Sequence, residues 1–108
     1  MAELTPRSGS EQRGRRPVIV VSHDGFNQTP GWRSVIVVPV SGSSAQARRG
    51  PTAVALAAGL GGLKQDSTAI CHQVTTLDRA KLVQRMGMLD GQSLSRVENG
   101  LKAALELL

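Results

Sequence analysis

The sequence predicts a small α+β fold, mainly β: a curved antiparallel sheet or partial barrel of short strands with one amphipathic helix packed on it. Three observations carry this reading. Val18–Val21 and Val35–Val40 are nearly unbroken β-branched runs, the composition of buried strands. Polar connectors rich in Gly, Ser, Arg and Pro separate the apolar segments. Near the C-terminus, Leu94, Val97, Leu101, Ala104/Leu105 and Leu108 recur at steps of three and four, the mark of one apolar helical face.

Taken in order, residues 1–6 end in Pro6, and residues 7–16 form a basic loop. Val18–Val21 is the first core strand, and residues 22–33, with Pro30-Gly31, read as a loop. Val35–Val40 is the second strand, in which Pro39 calls for an edge or a bulge because it has no N–H to donate. Ser41–Ser44 closes it. Thr52–Leu56 alternates weakly and suggests a third strand; Gly59, Gly61 and Gly62 mark a turn; Ser67–Val74 reads as a fourth. Thr76–Leu82 looks like a helical turn or short helix capped by Thr76, and residues 85–89 could add a short strand. Asp90 or Ser93 can cap the terminal helix. Gly100 inside it costs about 1 kcal/mol against Ala, so tertiary packing must support it there.

At 108 residues the chain reads as one domain, residues 1–108, with enough length for a hydrophobic core. Its only aromatics are Phe26 and Trp32, which argues against the base-stacking platforms of many single-strand binders. The formal net charge is +5, and most of it lies in the first half. Residues 1–50 carry seven Arg against Glu3, Glu11 and Asp24. That asymmetry suggests a polyanionic partner, nucleic acid or an acidic protein that mimics one. Cys71 is the only cysteine, so no internal disulfide forms; beside an apolar run it is expected to pack as a small hydrophobe. No signal-like N-terminus or long apolar segment is present, which predicts a soluble cytoplasmic protein with no membrane role. One Cys and two His with no ligand spacing do not make a metal site, and no cofactor is expected.

The segment Gly9-Ser10-Glu11-Gln12-Arg13-Gly14-Arg15-Arg16-Pro17 is the richest in chemistry. Glycine-hinged backbone, guanidinium forks that match phosphate oxygens and one carboxylate precede a rigid strand, a combination suited to holding a phosphate. The bland alternative is a solvated turn whose charges keep the protein soluble.

The order of these pieces resembles the MazF/PemK family of bacterial toxins. The matching segments are Gly9–Gln12 through Arg16-Pro17, Val20-Val21-Ser22, Phe26-Asn27, Val37–Ser41, Gly59-Leu60, Asp66-Ser67, Gln73, Thr76-Leu77-Asp78, Leu82 and Gly87. The resemblance implies a small Src-homology-3-like barrel of the CcdB/PemK type with a C-terminal helix. It implies a metal-independent endoribonuclease toxin of a type II toxin–antitoxin system. Such an enzyme cuts single-stranded RNA, often mRNA, at short sequences. The partners it implies are that RNA, a cognate MazE/PemI-like antitoxin and a second copy of the chain in a homodimer. Ahead of the loop, where the family carries a full strand, this chain has only Ala2–Pro6.

Metal-free cleavage uses the adjacent 2′-OH as nucleophile, so the enzyme must supply a base, an acid and positive charge for the dianionic transition state. Arg16 matches the family arginine before the proline. Its guanidinium is too weak an acid for easy proton transfer, so electrostatic stabilisation is its expected role. Glu11 matches the loop acid and would orient Arg16, bind a ribose or base edge, or simply form a loop salt bridge. Ser41 aligns with a family hydroxyl that bonds the scissile phosphate, and Gly42 stands where a second hydroxyl is common, with Ser43 or Ser44 as substitutes. His72 occupies a position where relatives carry Asp or Glu; it is either a base suited to neutral pH or a strand histidine bonded to backbone. His23, at the strand end, reads as a loop residue. The resemblance places Ser10, Gln12, Arg13, Arg15, Ser43, Gln73 and Thr75 along the RNA groove, Thr75 where many relatives have a basic residue. The alternative readings are a catalytically weakened or inactive toxin-like binding protein and a CcdB-like gyrase poison.

Overall fold

The computed structural model describes residues 2–4, 14–22, 24–42 and 50–107. Its elements are β1 (Ala2–Leu4), β2 (Gly14–Arg16), β3 (Val18–Val20), α1 (Asp24–Asn27), β4 (Ser34–Ser41), β5 (Ala53–Leu56), β6 (Ser67–Ile70), β7 (Thr75–Asp78) and α2 (Gly91–Leu105). All strand pairs are antiparallel. β1 and β2 form a two-stranded ribbon, and the main sheet runs β3-β4-β6-β5 with β7 also on β4. Among the described strands the sheet is open, with α2 packed on one face. This is the mainly β architecture with a C-terminal helix that the sequence predicts.

β4 is the hub. β3 lies along one side of it, while β7 and β6 share the other, β7 opposite Ser34–Val37 and β6 opposite Val40–Ser41. Both faces of β4 are covered from Val37 to Val40, where Val38 and Val40 join the core under α2 and Val37, like Val35 before it, is buried on the opposite face. Burial on both faces explains a continuous valine run in place of alternation. Pro39 stands in this central strand, away from a sheet edge and opposite a break in its partner. Val37 pairs with Thr75 and Val40 with Ala69, so three steps along β4 face six along its partner. The surplus is extruded as a 3-10 turn, Cys71–Gln73. Pro39 falls at this seam, where a missing N–H breaks no regular ladder.

That seam shortens the predicted fourth strand, which ends at Ile70. The expected helix over Thr76–Leu82 is instead β7 followed by a 3-10 turn, Arg79–Lys81. Pairing with β4 overrides the local preference, and the cap is Asp78, whose carboxylate accepts from the Ala80 N–H at 2.9 Å, in place of Thr76. Residues 85–89 form no strand. They cross the 59–62 turn so closely that a Cβ on Gly87 would stand 3.0 Å from the Gly61 carbonyl, and one on Gly62 would strike the Met86 carbonyl. The expected 22–33 loop holds α1, tied down by Ser22 Oγ donating to Asn27 Oδ1 at 2.5 Å and Asn27 Nδ2 donating to the Ser22 carbonyl at 2.9 Å.

The core under α2 comprises Val38, Val40, Val54, Leu56, Ala69, Cys71 and Val97. Asp90 caps the helix by accepting from the Ser93 N–H at 2.6 Å. That bond, helped by the Ser93 hydroxyl, holds the carboxyl below its ordinary range. Val97 is fully buried and Leu94, Leu101 and Ala104 are half-buried, whereas Leu105 has turned off the face. Gly100 has a packing reason. A Cβ there would meet Cys71 Sγ at 2.7 Å and Val54 Cγ2 at 2.8 Å, so its absence lets the helix approach the sheet. Cys71 is buried, as expected, and its thiol donates to the Val97 carbonyl at 3.6 Å. Burial pushes that thiol's pKa up.

Candidate active site

The site is built where β2 hands over to β3. Pro17 favours extended backbone at Arg16 and so holds it in strand geometry. The Pro17 carbonyl accepts from the Val40 N–H at 3.0 Å, extending the β3–β4 register of Val18 opposite Pro39. One further step along that register sets Arg16 beside Ser41. Ser41 is paired on its other side with Thr68 of β6.

Directly opposed residues of antiparallel strands project to the same face. Arg16, Ser41 and Thr68 therefore form one row across three strands, on the face away from α2. Ile19, Val38, Val40 and Ala69, which alternate with them, serve the core. Burial deepens along the row: Arg16 is exposed, Ser41 half-buried and Thr68 only 4% exposed. A permanent guanidinium charge at the open end and a hydroxyl donor at the middle can together engage one tetrahedral anion.

Of the other predicted residues, Thr75 lies on β7 opposite Val37, on the same face as Ser41. His72 and Gln73 sit in the 3-10 turn past the end of β6. His72 is exposed, and its Nδ1 lies 3.2 Å from Thr52 Oγ1. This turn, not a strand, carries the histidine. Gly42 follows Ser41, and the Gln65 carboxamide occupies the space where a side chain at Gly42 would begin. Arg15 belongs to β2, opposite Glu3. Ser10, Glu11, Gln12, Arg13 and Ser43, as well as His23, lie outside the described residues.

Thr52, Gln65 and Thr68 were not singled out by the sequence. Thr68 becomes conspicuous only through its register with Ser41, and Gln65 only through the space that Gly42 leaves.

A model of the PemK-like, MazF-like toxins of type II toxin–antitoxin systems matches residues 1–105. This chain belongs to that family. It is 31% identical over 107 residues to endoribonuclease EndoA of Bacillus subtilis, covering 99% of this chain and 90% of the relative. It is 32% identical over 107 residues to endoribonuclease MazF of Staphylococcus saprophyticus, covering 99% and 87%. Among solved structures it resembles the MazE–MazF assembly of Deinococcus radiodurans, with TM-score 0.72 and 26% identity over 99% of this chain and 90% of that one. The PemK/MazF assignment covers the β1–β2 ribbon, the main sheet and α2, so the short β1 stands within the matched family region.

Proposed function

We propose that this MazF-like endoribonuclease toxin cleaves single-stranded RNA at short sequences without a metal, using Arg16 and Ser41 on one scissile phosphate. The observation that carries this reading is the register that sets Arg16 beside Ser41 at the open end of the sheet. The 2′-oxygen attacks the adjacent phosphorus, and the bond from phosphorus to the 5′-oxygen breaks. The 2′-OH proton passes to a base, and the 5′-oxygen receives a proton as it leaves. The products are a 2′,3′-cyclic phosphate and a 5′-OH end. The extra negative charge of the pentacoordinate transition state is where Arg16 acts, since a preorganised cation favours that state over the substrate. Ser41 donates to a non-bridging oxygen. Glu11 is assigned to orienting Arg16 or to proton transfer. His72, its ring held by Thr52, is assigned to proton transfer at the groove.

The partner proposed beside RNA is a cognate antitoxin of the MazE/PemI type, as in the Deinococcus assembly, with the toxin domain, residues 1–108, acting as a homodimer in the cytoplasm. Among the described residues no helix is long and apolar enough to cross a membrane.

The test is an RNA pool containing all short sequence contexts, incubated with the protein in EDTA. Wild type is expected to leave 5′-OH ends at a defined sequence, and Arg16→Ala to lose about a hundred- to a thousandfold in rate. Equal activity of the two proteins would remove Arg16 from the mechanism. Cleavage that EDTA abolishes would remove the metal-free route.

A further inference from the structure

We infer that Gln65 is a specificity-determining residue, whose carboxamide reads the hydrogen-bonding edge of the RNA base beside the scissile phosphate. The inference rests on the proposed cleavage at Arg16 and Ser41. Gly42 follows Ser41 directly, one Cα step of about 3.8 Å along the chain. The backbone at Gly42 lies outside the left-handed region, so its conformation does not call for glycine. Its surroundings do: a Cβ there would strike Gln65 Nε2 and stand 3.0 Å from Gln65 Cδ. Glycine is thus what lets the carboxamide lie against the end of β4. The turn that delivers Gln65 is tied down by two hydrogen bonds. Ser67 Oγ donates to the Gln65 carbonyl at 2.9 Å, and the Asp66 carboxylate accepts from the Ala58 N–H at 2.9 Å. Gln65 itself is exposed, so an incoming base can reach it.

The chemistry favours a base over a phosphate as the occupant. A carboxamide is neutral and sets N–H donors beside a carbonyl acceptor. That pair matches a base edge with a neighbouring acceptor and donor, as glutamine matches adenine. Successive residues of a strand turn to opposite sides, so a contact at residue 42 stands beside the Arg16–Ser41–Thr68 row, not in it. A phosphate held on the row leaves the adjoining base to swing around the end of β4 to the amide. With Phe26 and Trp32 the only aromatics, telling one unstacked base from another falls to hydrogen-bonding groups.

The test maps cut ends by sequencing and measures the rate for each sequence, with the full chain on the RNA pool in EDTA. Gln65→Met keeps the length of the side chain and removes the amide. It is expected to flatten the preference at one position beside the cut by about fivefold or more, by slowing only the favoured base, with the other positions unchanged. Gln65→Glu keeps the shape but only accepts, and is expected to move the preference at that position toward a base presenting an amino donor. Gly42→Ala leaves Gln65 in the chain but displaces its amide, and is expected to flatten the same position. Uniform slowing of every sequence by Gln65→Met would mark a phosphate or packing contact and overturn the inference. An unchanged profile in Gln65→Met or Gly42→Ala would overturn it as well. If wild type cuts no RNA in the pool, the cleavage reading fails and the inference with it; if wild type cuts and Gln65→Met keeps its profile, the inference alone fails.

Discussion

The two faces of one sheet make the instructive comparison. Along β4, Val38 and Val40 point into the core beneath α2, while Ser41 faces the opposite way, in a row with Arg16 and Thr68. β6 divides its residues likewise, Ala69 to the helix side and Thr68 to the row. The side-chain period of two therefore separates the core under α2 from the row of Arg16, Ser41 and Thr68, although Val35, Val37 and Ile70 are buried on the row's face. The candidate row and the core under α2 thus lie on opposite faces of the same strands.

That separation can be broken from either side. The largest effect is expected from Leu56→Ala, which empties part of the core from a side chain 1% exposed and costs about 2–5 kcal/mol in denaturant unfolding. Below the lowered Tm, its RNA cleavage should persist. Arg16→Ala is the mirror experiment: about 3–4 kcal/mol lost from the cleavage barrier, with Tm unchanged because Arg16 is exposed. If both variants lose stability and activity together, the faces are coupled.

Gly100→Ala sharpens the core half of the comparison. Alanine should stabilise a helix interior by about 1 kcal/mol, yet its Cβ would meet Cys71 Sγ at 2.7 Å and Val54 Cγ2 at 2.8 Å. Overpacking costs about 1–3 kcal/mol, so a net loss of Tm is expected, and a gain would show that α2 can move off the sheet. The smallest effect concerns Asp90. Its carboxyl is held below its ordinary range by the Ser93 N–H, so its contribution is present above the unfolded-state value and lost as pH falls through the lower folded-state value. Acid titration of the helical circular dichroism should show this loss in wild type. Asp90→Asn, which caps without titrating, should lose that part of the pH dependence.

Local pattern made several elements legible. The β-branched runs marked β3 and β4, three-and-four spacing marked α2, and Asp90 stood where a cap belongs. Local pattern placed the helical turn of Thr76–Leu82 too early: it stands at Arg79–Lys81, because β4 supplies hydrogen bonds that draw residues 75–78 into a strand. Pro39 was read as calling for an edge or a bulge, and the interruption that accommodates it lies on the partner, between β6 and β7. In the candidate site, Arg16 and Ser41 were singled out through the family pattern. Thr68 was not, since nothing local distinguishes it from any other strand threonine.

The sequence by itself determined the apolar segments, the terminal helix, the basic first half and the family pattern that names Arg16 and Ser41. Those properties depend on residues near one another in the chain. Only the tertiary structure decided that β4 is paired along both sides, that Gly100 is a contact rather than a flaw, and that Arg16, Ser41 and Thr68 share one row. Those depend on strand register, which is set between residues far apart in sequence and in which a shift of one position would turn every side chain to the other face.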